Sequence, residues 1–271
     1  MRHVGGDALP MVNDGDASRK MRFLDIDLDA FLNHVAHWPE GGRLDAESFH
    51  PWAEDRLREF MERQCGLSRS APIAGWFVTN HDGAFDVMRN IVEGGSGPLE
   101  VVHVDAHADL GMGDPSWVDM IKRVGRPLAD RREPVRASEG LNLGSWLAYA
   151  VAAEFICDLT YVYPKGWGDD LPPIYFPKGD KTAGYLDMKS FTRVGLPMMG
   201  SSPDYHALCG LDPDFALPPV PFRMLTLDDY TAAVPFDVGL LCHSPDYTPE
   251  TSDRLIPIIG EYIRFKPESA A

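Results

Sequence analysis

The sequence predicts an α/β fold of three layers, a mainly parallel sheet with helices on both faces. Short apolar runs of strand length alternate along the chain with longer segments of helical periodicity. Most of these runs are almost continuously apolar, as expected of parallel strands buried on both faces. A length of 271 residues with 44% hydrophobic residues suits one large α/β domain.

These patterns place the individual elements. Strand character is found at residues 22–31 (containing FLDIDLDAF), 76–79, 100–104, 159–163, 224–227 and 238–242. Helical spacing of apolar residues is found at 50–65, 83–92, 143–156 and 249–263. Residues 165–221 are rich in Gly, Pro and Asp, so we expect long loops there, over the mouth of a site. Residues 1–20 are expected to be a flexible lead-in, and residues 21–271 a single domain.

The composition of the chain limits which classes of binding partner we expect. The formal net charge of -16 disfavours binding to nucleic acid or to an anionic membrane, and it is compatible with a cationic substrate or peptide. Solubility alone would also explain this charge. Four scattered cysteines without a CxxC pair indicate reduced thiols in a cytoplasmic protein. No apolar run reaches the length of about 18 residues that a membrane helix needs.

The segment VVHVDAHAD, residues 101–109, gives the strongest indication of a functional site. An apolar strand leads directly to Asp105, His107 and Asp109, whose alternate spacing puts them on one side if strand geometry persists. Ligands of parallel sheets bind at the carboxyl ends of the strands. Carboxylate and imidazole together suit Mn, Zn or Fe. The structural alternative is a polar loop in which an Asp caps a helix.

The first strand segment carries a second group of carboxylates. Asp25, Asp27 and Asp29 are spaced by two and would share one strand face, about 6.5–7 Å apart. Three such carboxylates in an apolar strand repel one another, and a divalent metal pair would compensate them. A solvated face of an edge strand is the alternative.

His81 follows a third strand, in the sequence TNHD. A single histidine is weak evidence, but its position at a strand end matches that of the other two segments. Together the three segments offer enough ligands for two metal ions about 3.5–4 Å apart. The predicted ligands are Asp27, Asp29, His81, Asp105, His107 and Asp109.

These motifs resemble those of the arginase and agmatinase superfamily, the ureohydrolases. Residues 104–109 (VDAHAD) are similar to the DAHxD metal motif of that family, and residues 24–31 (LDIDLDAF) to its SxDxDxxD motif. The resemblance implies a three-layer arginase-like fold and two Mn²⁺ ions. It implies that Asp105 and Asp27 bridge both ions, that His81 and Asp109 complete one site, and that His107 and Asp29 complete the other. Asp109 would also pass a proton to the leaving amine.

Two features depart from the family pattern. The DxD strand precedes DAHxD here, which implies a permuted strand order. Asp25 stands where the family usually has Ser, and Leu32 where it has its last Asp. The register therefore stays open at one point, because Asp25 could be a ligand or could support one. The shuttle histidine of the family has no counterpart between Asp109 and His206, so His206 and His243 are the remaining candidates.

Further segments resemble an arginase-like family that includes peptide arginases. These segments are NHD at 80–82, HVDAHADLG at 103–111, NLGSWL at 142–147 and SPDYTP at 244–249. The resemblance implies conversion of arginine residues in ribosomally made precursor peptides to ornithine, with release of urea. Asp246 and Glu250 are candidates for binding the guanidinium. An Asx turn at Asp246 and a helix start at Glu250 are the structural alternatives.

Three hypotheses follow from the sequence. The first is a manganese ureohydrolase acting on arginine within a peptide. The second is a ureohydrolase or amidohydrolase acting on a free small molecule such as arginine, agmatine or an acylated amine. The third is a non-enzymatic module with a residual metal site. Homo-oligomer formation is compatible with all three.

Overall fold

The described chain forms a large mixed sheet with helices on both faces. The computed structural model describes residues 19–113, 115–191 and 205–266, together with the short pieces 198–199 and 202–203. Most of the expected lead-in, residues 1–18, lies outside the described residues. Among the described residues, no helix is both long enough and apolar enough to cross a bilayer.

Eight strands of the described chain form the main sheet. They are β1 (Arg22–Asp27), β2 (Ile73–Val78), β3 (Leu99–Val104), β4 (Ile156–Tyr163), β5 (Tyr185–Leu186), β6 (Val220–Thr226), β7 (Val238–Cys242) and β8 (Ile263–Phe265). The order across the sheet is β8-β2-β7-β1-β3-β4-β6-β5. All described pairs are parallel except β6 with β5. The carboxyl ends of β1, β2, β3 and β7 therefore meet at one edge.

The described helices are short. They are α1 (Glu54–Glu59), α2 (Gly83–Ile91), α3 (Ser116–Arg123), α4 (Leu128–Arg131), α5 (Trp146–Ala152), α6 (Tyr205–Cys209) and α7 (Leu255–Ile259). A π-helical turn, Phe60–Gln64, extends α1, and Val92–Ser96 extends α2 in the same way. Short 3-10 helices occupy Leu28–Phe31, Pro173–Tyr175, Pro177–Gly179, Pro245–Tyr247 and Glu250–Arg254. Two small antiparallel ribbons pair 189–190 with 215–216 and 198–199 with 202–203.

Two hydrophobic cores lie on opposite faces of the sheet. Alternation along β1 sends Phe23 into one core and Leu24 and Ile26 into the other. The first core contains side chains of α2, α3 and α5, and the second contains side chains of α1 and α7. The sheet is therefore covered on both faces, and the predicted three-layer α/β architecture is confirmed at this level.

Several predicted boundaries were wrong. The strand predicted over 22–31 ends at Asp27, and a 3-10 turn follows. The helix predicted over 143–156 is limited to α5 at 146–152, and Ile156 already begins β4. The helix predicted over 249–263 is a 3-10 turn followed by α7, and its last residue belongs to β8. Local apolar spacing does not show where β4 and β8 begin, because long-range pairing of β4 with β3 and of β8 with β2 determines these strands.

Candidate metal centre

The loops after β1, β2 and β3 bring the predicted ligands together. Asp27 ends β1, His81 follows β2 by three residues, and Asp105 directly follows β3. Asp27, His81 and Asp105 are at most 3% exposed. Because the three strands end at the same edge of the sheet, residues far apart in sequence become neighbours.

His81 is the centre of the first cluster. Its Nδ1 atom lies 3.0 Å from one carboxylate oxygen each of Asp27, Asp105 and Asp109. One imidazole nitrogen carries at most one proton, so it cannot donate to three carboxylates. Ligands at right angles on a metal with bonds of about 2.1 Å are about 3.0 Å apart. His81, Asp105 and Asp109 therefore have the spacing of a metal-ligand set, and Asp27 groups with His81 and Cys242 beside it.

The second cluster shares Asp105 with the first. His107 Nδ1 lies 3.0 Å from Asp29 Oδ2 and 3.8 Å from Asp105 Oδ1. The other oxygen of Asp105 faces His81. Asp105 thus presents one oxygen to each cluster, as a carboxylate bridging two ions would. These buried Asp and His groups could bind metal ions.

Two buried atoms in the first cluster lack an ordinary partner. His81 Nδ1 and Asp105 Oδ2 are buried and have no hydrogen-bond partner of good geometry. Leaving a buried polar atom unpaired is costly, so such atoms call for an explanation. A metal ion bound between them would satisfy both, and the residues present fit a metal centre on this ground.

The pattern of pKa shifts reflects crowded negative charge. Burial, with the charges of Asp27 and Asp105, raises the pKa of Asp29 well above its ordinary value. Burial and the charge of Asp105 raise the pKa of Asp109 to about 6. Among the described residues that line the cavity there is no Lys or Arg to compensate these carboxylates. Burial lowers the pKa values of His81 and His107, but the neighbouring carboxylates raise both well above the ordinary value. Protonated imidazoles therefore balance part of this charge in the metal-free chain, and a metal ion would displace those protons.

Two predicted ligands reach the site by local geometry other than the expected strand alternation. Asp29 lies on the 3-10 turn Leu28–Phe31. The backbone nitrogen of Asp29 donates a 3.1 Å hydrogen bond to Asp27 Oδ1. Asp109 has a left-handed backbone with a φ of 49°, which Asp tolerates better than most residues. Trp146 Nε1 donates to Asp109 Oδ2 at 2.6 Å. The strand alternation thus holds for Asp25 and Asp27 on β1 but does not extend to Asp29 or Asp109, although the residues still converge.

Asp25 lies beneath the clusters and supports the imidazoles. It is fully buried, and both of its carboxylate oxygens lie 3.1 Å from His81 Nε2. His103 Nδ1 lies 2.7 Å from Asp25 Oδ2. A carboxylate on one ring nitrogen of a histidine fixes the other nitrogen towards the metal position. This geometry favours the register in which Asp27 and Asp29 are the ligands.

Sequence reasoning missed several supporting residues. His103 is buried between Asp25 and the backbone carbonyl of His107. Burial lowers the pKa of His103, but its hydrogen bond with Asp25 and the charge of Asp105 raise it to about 9. The Ser244 hydroxyl donates to Asp27 Oδ2, and its backbone is left-handed with a φ of 44°. Only the position of His103 two residues before the DAHAD segment could have indicated such a role.

A cavity of about 460 Å³ opens above the clusters. All six predicted ligands line it, and so does Asp246, whose Oδ1 accepts a 3.0 Å hydrogen bond from the Gly42 backbone. Glu250 is exposed in the first turn of the 3-10 helix Glu250–Arg254 and is not among the described residues lining the cavity. The structure therefore brings one of the two predicted substrate-binding residues to the site.

Of the two shuttle candidates, only His243 has a described side chain. His243 Nε2 lies 2.9 Å from both Arg43 and Asp253 and is absent from the described lining. The side chain of His206 lies outside the described residues. His37 does line the cavity, with its ring 6.4 Å from that of His107.

Comparisons of the chain with known protein families, curated proteins and solved structures find no significant match. The ligand geometry, rather than a relative, therefore carries the functional argument. That geometry comprises two buried Asp/His clusters sharing Asp105 at the floor of a cavity.

Proposed function

We propose that this protein is a dinuclear-metal hydrolase that converts arginine residues of a precursor peptide to ornithine residues and releases urea. The observation that carries the proposal is the pair of clusters that share Asp105. His81, Asp27, Asp105 and Asp109 would hold one ion, and His107, Asp29 and Asp105 the other. Ligand sets rich in carboxylate oxygen suit Mn²⁺, which we propose as the metal.

The reaction is a hydrolysis at the guanidinium carbon. The metal pair, when bound, supplies Lewis-acid activation of water at neutral pH. The water oxygen bonds to the guanidinium carbon, the bond from that carbon to the side-chain Nε breaks, and both water protons end on the departing nitrogen, which leaves as an ammonium group. Urea and an ornithine residue result, so atoms and charges balance.

Asp109 is the residue proposed to hold and transfer one of those protons. Its Oδ2 atom lies 3.0 Å from His81 Nδ1, and the residue lines the cavity. Trp146 Nε1 fixes Asp109 Oδ2 by a 2.6 Å hydrogen bond. The carboxyl is therefore held in place at the cavity floor, where the reacting groups would meet.

Asp246 is the residue proposed to orient the guanidinium. It lines the cavity and is exposed, and no salt bridge to it occurs among the described residues. By contrast, Asp169 pairs with Lys181 at 2.7 Å. The carboxylate of Asp170 accepts from Trp167 and from the Ala108 backbone. Asp246 thus keeps free acceptor capacity for a planar cation.

A second candidate function is hydrolysis of a free small molecule such as arginine, agmatine or an acylated amine. The cavity volume of about 460 Å³ favours it, because pockets of this size enclose small molecules. The same metal clusters would serve. The two functions differ only in what the mouth of the cavity accepts.

Urea release decides the proposal. Protein reconstituted with manganese is incubated with capped arginine peptides and, separately, with free arginine. We expect urea from the peptides, and none from the metal-free protein or from Asp105→Ala. Asp212→Asn, at an exposed carboxylate outside the cavity lining, is the matched control and should keep full activity. Absence of urea from every arginine compound at full manganese loading would refute the proposed function.

A further inference from the structure

The mouth of the cavity is apolar where its floor is charged. Trp38, Met112, Leu143 and Pro245 line the cavity together with the acidic residues. Trp38 is 76% exposed, the highest fraction among the large hydrophobic side chains of the described residues, and Leu143 is 39% exposed. Large apolar side chains exposed at a cavity mark a surface that binds something.

One edge of the Trp38 ring lies against Gly113, and most of the side chain is exposed. A Cβ atom at Gly113 would lie 2.7 Å from Cη2 of the Trp38 indole, so the ring edge packs on the glycine backbone. Hydrogen bonds anchor the surrounding chain: Leu44 N donates to Thr248 O at 3.2 Å, and Gly42 donates to Asp246. The exposed part of the indole is therefore available to a ligand at the cavity mouth.

The charges at the mouth oppose a free amino acid. No Lys or Arg occurs among the described residues that line the cavity, and of the two exposed carboxylates there, Asp169 is already paired with Lys181 whereas Asp246 has no described salt bridge. The α-carboxylate of free arginine would lose water there and gain no cationic partner. The backbone of a peptide carries no such charge. Charge and polarity together therefore favour an arginine side chain presented from within a peptide.

We propose that the cavity mouth is a docking surface for a peptide segment in which apolar residues flank the target arginine, with Trp38 as its specificity-determining residue. This inference rests on the proposed function. The arginine side chain enters the cavity, and its apolar neighbours pack on Trp38, Leu143 and Met112. An exposed Trp side chain that becomes buried against an apolar partner often contributes a large share of the binding free energy.

Capped peptides of equal length test the docking surface. The target arginine is flanked by Leu, by Glu or by Lys, and kcat and KM for urea release are measured with manganese-loaded protein. We expect the Leu-flanked peptide to have the highest kcat/KM and free arginine the lowest. Trp38→Ala should raise KM for the Leu-flanked peptide about tenfold or more with kcat little changed, and Trp38→Phe should restore part of the loss.

The matched control is Phe215→Ala. Phe215 is 48% exposed on the ribbon formed with 189–190 and lies outside the described lining of the cavity. This variant should keep the native KM. Equal kcat/KM for all flanking residues, faster turnover of the Lys-flanked peptide, or an unchanged KM in Trp38→Ala would overturn the docking proposal and leave the ureohydrolase proposal intact.

Calorimetric measurement of peptide binding distinguishes a failure of the docking proposal from a failure of the proposed reaction. The Leu-flanked peptide is titrated into metal-loaded native protein, Trp38→Ala and Phe215→Ala. Weaker binding by Trp38→Ala alone would support the docking surface even if no urea were released, in which case only the proposed reaction fails. Equal binding by all three proteins would overturn the docking surface.

Discussion

The candidate metal ligands owe their orientation to individual neighbours. Asp25 contacts both His81 and His103, Trp146 holds Asp109, and Ser244 holds Asp27. Each contact restricts the orientation of a ligand side chain. Supporting contacts of this kind govern metal affinity nearly as strongly as the ligands themselves.

Asp25→Asn should weaken manganese binding about 10- to 100-fold. Two ring nitrogens, His81 Nε2 and His103 Nδ1, converge on the Asp25 carboxylate. An amide would accept at one atom only and would turn its NH₂ group towards one of the imidazoles. Calorimetric titration of the metal-free proteins measures the effect. Asp212→Asn is the surface control, and native affinity in Asp25→Asn would show that Asp25 does not position His81.

Manganese affinity should increase with pH. Burial lowers the pKa of His81, but neighbouring carboxylates, Asp25 foremost, raise it overall well above its ordinary value. Burial also lowers the pKa of His107, and the hydrogen bonds of Asp105 and Asp29 raise it overall. Both imidazoles therefore keep protons that the metal must displace, so binding releases protons. Affinity should rise from about pH 6 to about pH 8. A heat of binding that is the same in buffers of different ionisation enthalpy would contradict this.

The sequence predicted the metal ligands better than it predicted what surrounds them. Asp105, His107 and Asp109 were identifiable because carboxylates and an imidazole directly follow an apolar run. The role of Asp25 stayed open, because only the tertiary structure shows that it faces two imidazoles. Trp146 and Ser244 reach the site by long-range contacts that have no local pattern.

At the level of elements, strands were predictable wherever an apolar run was long enough. β7 has the predicted bounds, and β2, β3 and β4 extend a few residues before them. β8 was missed because it has three residues and exists through its pairing with β2. The strand ends matter most for function, since the ligands lie on the turns that follow them.

The packing of β2 against β7 and β8 can be tested at Gly75. A Cβ atom there would overlap the carbonyl oxygen of Gly239 and a methyl group of Ile263. We expect Gly75→Ala to lower the free energy of unfolding by about 1–3 kcal/mol. Chemical denaturation measures the change. Gly210→Ala is the control, because its Cβ would meet only Ala207 O at 3.7 Å. Equal stability of the two variants would contradict the close approach of these strands.

At the scale of the whole molecule, the fold brings buried carboxylates together at one edge of the sheet. Asp25, Asp27, Asp29, Asp105 and Asp109 are all buried there. The three-layer architecture was predictable from composition and periodicity, because alternating apolar runs and helices permit few alternatives. The shape of the cavity mouth was not predictable, because loops distant in sequence form it.

Metal binding should stabilise the whole fold. An ion that binds only the native state raises the free energy of unfolding, and the increase grows with the ratio of the free ion concentration to the dissociation constant. At a ratio of about one hundred, the increase is about 2.7 kcal/mol. Manganese should therefore raise Tm, and a chelator should lower it. Asp105→Ala should show little of this shift, because Asp105 faces both clusters. A Tm insensitive to manganese in the native protein would contradict a metal centre between β1, β2 and β3.

The number of manganese ions bound per chain tests the central claim most directly. Metal-free protein is reconstituted with manganese, freed of excess ion by gel filtration and analysed for metal and protein. The shared carboxylate of Asp105, with His81 on one side and His107 on the other, predicts two ions per chain. Fewer than two ions per chain at saturation would contradict the dinuclear centre.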